Sequence, residues 1–294
     1  MLQTKSQSRT ARILRITPDQ VHHVMEKAVE FGLKHRRNRN HNNLCIDEKS
    51  LHGREFVSVL YDGDDNIVLD VVKGRTEKSV ESLLRNNLTY SQMGNVLTFS
   101  MDMWEPFMKV VRKLMPYANI CHDLYHCISY LNKGIDQTRR REVKKHNELR
   151  RTRYIFLKNQ ASWTDLQYMK FESIVKTDLE VAKAWRIKED FRGIMHTRDR
   201  AEAWNLFQIW CNHAKQFNIP EMTKVVEMFQ RHEKGIVNAF VLGRNNSRAE
   251  RMNGSIQELK TIGRGYKDVE HFRIAILFFH GGLALHKDYL VNSH

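Results

Sequence analysis

Cysteine is scarce in this chain, and its spacing excludes two classes of small stabilised domain. The 294 residues contain four cysteines, namely Cys45, Cys121, Cys127 and Cys211. No two of them form a CxxC pair, so the sequence supports neither a zinc finger nor a disulfide framework. Free thiols are typical of the reducing cytosol. Because there is no secretory leader and no apolar run near the ~20 residues of a membrane span, we expect a cytoplasmic protein without membrane contact.

Acidic residues are also under-represented, and the resulting positive charge is concentrated. The chain has 48 Lys and Arg against 34 Asp and Glu, a formal net charge of +14. Residues 1–40 contribute +6 and residues 133–160 contribute +7, so the remainder nearly balances. Two such blocks favour a polyanionic partner such as nucleic acid, although two solvated faces would give the same pattern.

The first basic block has the pattern of two helices joined by a tight turn. In the second helix Thr17 is the predicted N-cap, with Pro18 at the first helical position and Gln20 completing a capping box. Gly32 is predicted to end this helix. The stretch looks like a helix-turn-helix, so residues 1–40 are predicted to be a partial DNA-binding segment of this type followed by a linker. An ordinary helical hairpin is the alternative. The residues expected to reach DNA are Arg12, Arg15, Gln20, His22, His23, Lys27, Arg36 and Arg37.

Beyond residue 40 the hydrophobic period changes from helical to strand-like. The predicted strands are 44–46, 55–61, 67–72, 96–101 and 118–122, and the predicted helices around them are 76–92, 103–115, 247–261 and 266–285. The acidic turn at 62–66 is expected to be a hairpin turn rather than a calcium loop. This order is typical of an α/β fold with an RNase H-like mixed sheet and a large helical insertion, here at about 124–240.

Two aspartates directly follow predicted strands that are neighbours in such a sheet. Asp47 follows the first strand and Asp102 follows the fourth. Two carboxylates at one buried edge repel each other unless a cation neutralises them. Mg²⁺, or Mn²⁺, is the natural ion, and a pair of ions can activate the attacking oxygen and stabilise the leaving oxygen at a phosphodiester. Either aspartate alone would more often be a turn residue.

A third carboxylate, Glu250, lies at the margin of the buried face of the predicted helix 247–261. From there it could join the two aspartates as a metal ligand. The competing interpretation is a capping box with Ser247, in which the glutamate bonds backbone amides. Asn253 and Lys260 share its polar stripe and are candidates for supporting roles.

Several further residues have weaker functional patterns. Asp123 and His126 follow the fifth strand and are expected to form hydrogen bonds near the active site or to DNA, while a metal site with the flanking cysteines is a less favoured interpretation. The four tryptophans between 163 and 210 are expected to be core residues more than base-stacking platforms. The second basic block should bind phosphates without reading sequence. Its proposed ligands are Arg139, Arg140, Arg141, Lys144 and Lys145.

Several segments together resemble the insertion-sequence transposases of the ISL-three family. The matching stretches are LCIDEKS, VVKGRTEKSV, FSMDMWEPFMKVV, YANICHDLYHCISYLN, AWRIKEDFR and NNSRAERMNGSIQELKTIGRGYKDVEHFRIAILF. The resemblance implies that residues 41–294 form a catalytic domain with Asp47, Asp102 and Glu250 as its Asp-Asp-Glu triad. It also implies Mg²⁺-dependent cleavage at the element's ends and attack of a 3′-OH on target DNA. The expected partners are double-stranded DNA and further copies of the chain, at the bacterial nucleoid.

The front of the sequence departs from the family pattern. Members usually carry a cysteine-rich zinc-binding segment before the helix-turn-helix, whereas here Met1 falls just ahead of that motif. We therefore expect a shortened copy with reduced recognition of the element's ends. Two other interpretations are a catalytically silent remnant that only binds DNA and a structure-specific nuclease on the same fold.

Overall fold

The computed structural model describes residues 5–51, 53, 55–158, 160–243, 247–263, 266 and 268–287, without the side chains of residues 161 and 247–251. The chain divides into two compact units. The first comprises Met1–Ile120 and Asn246–His294, and the second comprises Cys121–Asn245. Within the described residues, no helix combines the length and the apolar character needed to cross a bilayer.

The elements follow one another in the order that the hydrophobic pattern predicts. In chain order they are α1 (Gln7–Leu14), α2 (Pro18–Lys34), β1 (Asn43–Ser50), β2 (Phe56–Asp62), β3 (Ile67–Lys73), α3 (Glu77–Asn87), α4 (Tyr90–Gly94), β4 (Thr98–Met101), α5 (Glu105–Leu114), β5 (Asn119–His122), α6 (Leu124–Glu142), α7 (Arg153–Leu157), α8 (Asp165–Val175), α9 (Glu180–Ile194), α10 (Arg200–Gln216), α11 (Pro220–Arg231), α12 (Glu233–Val241), α13 (Ser247–Ile262) and α14 (Val269–His280).

The five strands form one mixed sheet in the order β3-β2-β1-β4-β5. The pairs β1–β2 and β2–β3 are antiparallel, and β1–β4 is parallel. The turn between β2 and β3 is a hairpin turn, as expected, because it joins two antiparallel neighbours. Within it the Asp62 carboxylate accepts the backbone amides of Asp64 and Asp65 at 2.8 and 3.2 Å. The predicted α/β class, a mixed sheet interrupted by a helical insertion, is confirmed.

Side chains alternate between two covered faces of the sheet. On one, called here the α13 face, Val59 packs with Ile256 of α13 and Phe272 of α14 in a core that also includes residues of α1 and α2. On the other, called the α5 face, Leu60 and Phe99 pack against α3 and α5. Any residue of β1 or β4 can therefore be assigned to a face from its place in the alternation.

Helices α1 and α2 form with the predicted cap but extend further than predicted. The Thr17 hydroxyl accepts from the Gln20 amide at 3.2 Å, and the Gln20 side chain accepts from the Thr17 amide at 2.9 Å. The predicted end at Gly32 is wrong, because α2 continues to Lys34. A Cβ at Gly32 would lie 2.7 Å from the Cβ of Leu283, so this glycine permits a close approach of the chain after α14. The boundary at residue 40 stays a prediction.

Two other elements differ from the pattern-based prediction. The helix predicted for 76–92 is two helices, because the chain breaks at Leu88 and Thr89 caps α4 through a box with Gln92. Strand β1 continues to Ser50 instead of ending near residue 46, because it pairs with β2 along its whole length, from Leu44 to Ser50.

The second unit consists of helices around an aromatic core. Trp210 lies 4.9 Å from Phe191 and 5.9 Å from Phe229, measured between ring centroids, and its indole nitrogen donates to the carbonyl of Ile187 at 2.9 Å. Trp163 and Trp185 form a second cluster with Phe171. Trp163, Trp185 and Trp210 are thus mainly packing residues, as expected. The fourth tryptophan, Trp204, is 39% exposed.

Candidate active site

Asp47 lies inside strand β1 and projects from the α13 face. The neighbouring Ile46 packs in the core of the α5 face, while Cys45 packs against the core of the α13 face. Because side chains alternate along a strand, Asp47 belongs to the same face as Cys45 and Lys49. Its side chain is 14% exposed, so the carboxylate is largely removed from bulk water.

Asp102 lies on the same face, directly after β4. Phe99 and Met101 both pack in the core of the α5 face, so the alternation assigns Asp102 to the opposite, α13 face. In the parallel pair β1–β4, Cys45 is opposite Ser100. Asp47 and Asp102 each follow that pair by two residues, and the alternation assigns both to the α13 face. Continuing the register by two residues would bring both carboxylates to one edge of that face.

The oxygens of both carboxylates accept hydrogen bonds from nearby donors. Asp47 Oδ1 accepts the amide of Glu48 at 2.8 Å, and Oδ2 accepts Lys49 Nζ and Asn253 Nδ2, both at 2.7 Å. Asp102 Oδ1 accepts the amide of Met103 at 2.6 Å. Donors directed at a carboxylate stabilise its charge, and the Lys49 ammonium offsets part of the repulsion expected at this edge.

A buried hydroxyl fixes the amide that faces Asp47. Tyr61, on β2, donates to Asn253 Oδ1 at 2.7 Å. Burial raises the pKa of Tyr61 well above its usual value, and the charges of Asp47 and Cys45 raise it further, so the hydroxyl stays a donor at physiological pH. With its oxygen held by Tyr61, the Asn253 amide can present only its NH₂ group to Asp47. Tyr61 is missing from the sequence prediction, although its place in the alternation puts it on the α13 face.

Helix α13 is fastened to β1 at two points. Asn253 bonds Asp47, and Lys260 Nζ donates to the carbonyl of Ser50 at 2.8 Å. Met252, Ile256 and Leu259 form its buried stripe. Glu250 belongs to this helix, but its side chain, and the possible cap formed by Ser247, lie outside the described residues.

Arg75, on the α5 face, contacts both segments that carry the aspartates. Arg75 Nη1 lies 2.8–2.9 Å from both carboxylate oxygens of Glu48, the residue after Asp47. Its guanidinium stacks 4.2 Å from the ring centroid of Phe56 and 4.7 Å from that of Trp104. The Trp104 indole nitrogen donates to the backbone carbonyl of Arg75 at 3.1 Å. These contacts restrain the loop in which Asp102 lies, and the sequence alone gave no signal for them.

A transposase family model, that of the ISL3 group of the DDE type, matches residues 44–276. The chain belongs to the ISL-three transposase family. It is 22% identical over 245 residues to the transposase for insertion sequence element IS1001 of Bordetella parapertussis, which covers 79% of this chain and 59% of that protein. It is 23% identical over 252 residues to the transposase for IS1557 of Mycobacterium tuberculosis (strain CDC 1551 / Oshkosh), covering 76% and 56% respectively. The chain thus spans little more than half the length of these relatives.

The predicted DNA contacts of this transposase-family chain divide into exposed and engaged residues in the first unit. Those on the surface are Arg12, Arg15, Gln20, His23, Lys27 and Arg37. His22 is half-buried, with its ring stacked 4.0 Å from that of His271, so the predicted exposure of His22 is wrong. Arg36 points into the protein and donates to the carbonyl of Leu69 at 2.7 Å.

In the second unit, carboxylates already engage part of the basic block. Arg139 bonds Asp136 at 2.7 Å, and Arg141 bonds Glu221 at 2.7 Å. Arg140 also pairs with Asp136, at 2.9 Å, but keeps 66% of its side chain exposed. Lys144 and Lys145 are exposed as well. The residues best placed to meet a phosphate are therefore Arg140, Lys144 and Lys145.

Asp123 and His126 lie at the start of α6. The Asp123 carboxylate caps this helix by accepting the amide of Tyr125 at 2.8 Å, and it lies 3.9 Å from His126 Nε2. Among the described side chains, no group of three or more His, Cys, Asp or Glu is arranged to hold a metal. The described side chains include those of the flanking Cys121 and Cys127 but not that of Glu250.

The shared edge nonetheless has the chemistry of a hard-cation site. Asp47 and Asp102 offer carboxylate oxygens, which Mg²⁺ and Mn²⁺ prefer. The amide and ammonium donors of Asn253 and Lys49 converge on Oδ2 of Asp47, so they would orient that carboxylate for a cation in the way that outer partners orient metal ligands. The oxygen donors of these residues therefore suit a divalent ion.

Proposed function

We propose that this chain carries the catalytic site of an insertion-sequence transposase, with Asp47, Asp102 and Glu250 as its acidic triad. The reaction is cleavage of DNA at the element's ends, followed by attack of the freed 3′-OH on target DNA. The observation that supports it most is the register of β1 and β4. It pairs Cys45 with Ser100, two residues before each aspartate, and continuing it would bring both aspartates level on the face where α13 is bonded to Asp47 through Asn253.

Helix periodicity supports Glu250 as the third member. Residues three apart on a helix are neighbours on its surface, so position 250 lies one turn before Asn253 on the side that meets β1. The alternative for Glu250, a capping box, would leave only two carboxylates for the ions. Two Mg²⁺ or Mn²⁺ ions bound here would supply charge stabilisation and an activated oxygen at the phosphodiester.

The residues of the chain itself prepare the carboxylates. Lys49 and the amide of Glu48 donate to the Asp47 carboxylate, and the pair formed by Tyr61 and Asn253 fixes its orientation. The Met103 amide donates to the Asp102 carboxylate. This arrangement needs no reorganisation when a phosphate arrives, which is the property expected of a preorganised electrostatic site.

The proposal is tested with neutral variants of the triad. Asp47→Asn, Asp102→Asn and Glu250→Gln should each abolish Mg²⁺-dependent cleavage of a duplex carrying the element's end, because each removes a metal ligand. DNA affinity should be unchanged or raised, since a negative charge near the phosphates is lost. Asp65→Asn, in the exposed β2–β3 turn, is the matched control and should cleave like the wild type.

Three outcomes would contradict this function. Cleavage that persists in Glu250→Gln, which keeps the capping bond, together with loss of helix content in Glu250→Ala, would favour the capping box. Retained binding without any cleavage by the unmodified chain would favour a silent DNA-binding remnant. Cutting without joining would favour a nuclease on the same fold.

A further inference from the structure

Three arginines of the second unit share one buried carboxylate. Asp136, on α6, accepts Arg139 through two nitrogens, at 2.7 and 3.0 Å, so this pair is already neutral. Arg140 Nε and Arg153 Nε lie 2.9 and 3.5 Å from the other oxygen of Asp136. Within the described part of the chain these three arginines have no other carboxylate partner. One negative charge cannot balance three positive charges, so the cluster keeps an excess of positive charge.

The loop between α6 and α7 adds two more cations, Arg150 and Arg151. Leu149 and Thr152, on either side of them, are fully buried and anchor the loop, whereas both arginines are exposed. The Lys170 ammonium of α8 donates to the carbonyl of Arg150 at 3.2 Å and holds the backbone there. Among the described residues neither arginine has a carboxylate partner. Their charges therefore face solvent without compensation.

Arg151 has a backbone conformation that arginine rarely adopts. Its φ is 60°, in the left-handed region where the Cβ of an L-residue is crowded. Such conformations persist only where the surrounding structure enforces them, and they cluster at functional and ligand-binding segments. The buried neighbours Leu149 and Thr152 provide that restraint. The direction in which Arg151 leaves the loop is thus set before a ligand arrives.

An exposed aromatic ring lies beside these cations. Tyr154, in the first turn of α7, is 61% exposed, and the Arg153 guanidinium lies 5.9 Å from the centroid of its ring. The next two residues, Ile155 and Phe156, are buried and fix the helix. Aromatic rings among cations are the usual means of holding single-stranded nucleic acid, because unpaired bases stack on the ring while the cations meet phosphates.

We propose that Arg150, Arg151, Arg153 and Tyr154, called here the α7 surface, bind a single strand of DNA. Backbone phosphates contact the arginines, and an unpaired base stacks on the tyrosine. The identification of the polymer as DNA rests on the proposed function. A single strand fits better than a duplex because the faces of a paired base are already covered by its neighbours in the stack. Residues 136–154 contain eight Lys and Arg against three Asp and Glu, which suits a polyanion.

The test compares two double variants with the same change in charge. Arg151→Gln with Arg153→Gln removes two proposed phosphate contacts, while two arginines still hold Asp136. Arg231→Gln with Lys234→Gln is the matched control in the same unit. Both of these residues are exposed near the C-terminal end of α11, whereas it is the first turn of α11 that is bonded to α6.

Fluorescence anisotropy measures the binding of an oligothymidine strand, alone or annealed to oligoadenosine, in EDTA across a salt series. For the single strand, the Arg151/Arg153 variant should reduce the slope of log affinity against log salt by about 1.4, since each phosphate contact contributes ~0.7. The control should change this slope by less than about 0.5. Because EDTA prevents metal-dependent cutting, these measurements do not depend on the triad, and the two proposals can fail separately.

Tyr154→Ala provides a separate measure that does not alter charge. Loss of one stacked base should weaken binding of the single strand by roughly fivefold or more at an unchanged slope. Binding of the duplex should stay the same, since its bases are not available to the ring. Tyr154→Phe keeps the ring and should bind the single strand like the wild type.

Two results would overturn the assignment. Equal single-strand slopes for the two double variants would show that its phosphates do not contact these arginines. Equal affinities of Tyr154→Ala and Tyr154→Phe for the single strand, with a reduced duplex slope for the Arg151/Arg153 variant, would show that the α7 surface binds duplex DNA through phosphates alone.

Discussion

The contact between Tyr61 and Asn253 has an effect at the scale of a single atom. Tyr61→Phe removes the donor that holds the Asn253 oxygen, so the amide can turn and direct that oxygen towards Asp47. We expect the free energy of unfolding to fall by about 1 kcal/mol. We expect kcat for cleavage to fall by at least about tenfold, which corresponds to ~1.4 kcal/mol at the transition state. Urea denaturation and single-turnover cleavage measure the two effects.

Tyr266→Phe is the matched control for this prediction. Its hydroxyl donates at 3.3 Å to the carbonyl of Leu259, which lies on α13 as Asn253 does. It does not bond the Asn253 amide that faces Asp47. The control should lose comparable stability and keep its cleavage rate. Equal losses of rate in the two variants would mean that Tyr61 contributes only to folding.

At the scale of single residues, the sequence identifies residues whose role follows from the local pattern. It misses residues whose role depends on how separate elements pack together. Asp47 and Asp102 are recognisable because each lies at the end of an apolar run and the strand order makes them neighbours. Tyr61 and Arg36 are not. In the sequence Tyr61 looks like any other strand residue, because its role depends on the packing of α13 over it. Arg36 looks like a surface cation, because its bonds to the backbone carbonyls of β3 appear only in the folded chain.

At the scale of elements, Gly32 tests how closely the segment after α14 approaches α2. Alanine is about 1 kcal/mol better than glycine inside a helix, so intrinsic propensity alone predicts that Gly32→Ala stabilises the protein. The new Cβ would lie 2.7 Å from the Cβ of Leu283, and overpacking of this kind costs about 1–3 kcal/mol. We therefore expect a net loss of stability in thermal or urea unfolding.

Gly254→Ala, within α13, is the control because, apart from its chain neighbours and its own helix backbone, no described atom lies within 4 Å of the position of its Cβ. It should gain up to about 1 kcal/mol. A stabilising Gly32→Ala would show that the close approach is not maintained in solution.

The packing of α2 on α14 should depend on pH through His22. Burial lowers the pKa of His22, and the charge of His271 lowers it further, while Glu26, Asp268 and Asp19 act in the opposite direction. The unfolded chain therefore binds this proton more readily. Stability should decline as pH falls below the ordinary histidine value of about 6.5 and level off below the folded value.

His22→Gln should flatten this part of the pH profile in urea denaturation measured from pH 7.5 to pH 5. His23→Gln, on the exposed side of α2, should leave the profile as in the wild type. A profile unchanged by His22→Gln would indicate that the stacked pair of His22 and His271 does not govern acid sensitivity.

Element type and order follow from hydrophobic period, but element ends do not. The alternation predicts all five strands, and the apolar stripes predict α13 and α5. The prediction of a single helix for 76–92 is wrong because Thr89 caps a new helix, α4, although the apolar pattern continues. The helix end predicted at Gly32 is wrong because, in the sequence, a glycine needed for a close contact cannot be told from one that ends a helix.

At the scale of the whole molecule, the two basic blocks should contribute to DNA binding through their exposed members only. In the second block Arg140, Lys144 and Lys145 are exposed, while Arg139 and Arg141 are held by carboxylates. Replacing the first three by Gln should reduce the salt slope of DNA affinity by up to about 3. Replacing Arg139 and Arg141 should mainly lower the melting temperature of the second unit, because it leaves Asp136 and Glu221 with fewer partners.

Fluorescence anisotropy across a salt series and differential scanning calorimetry separate these effects. If the Arg139/Arg141 variant reduced the slope as much as the triple variant, the carboxylate pairs would have to open on DNA binding.

We propose that three segments distant in sequence, around Asp47, Asp102 and Glu250, meet at the bound divalent ions, and iron-directed cleavage of the protein tests this arrangement. Fe²⁺ substituted for Mg²⁺, with ascorbate and peroxide, cuts the backbone near the bound ion, and mass spectrometry locates the cuts. We expect cuts around Asp47, Asp102 and position 250, which disappear together in Asp47→Asn and are suppressed by excess Mg²⁺. Cuts confined to other segments, or cuts near 47 and 102 with none near 250, would contradict it.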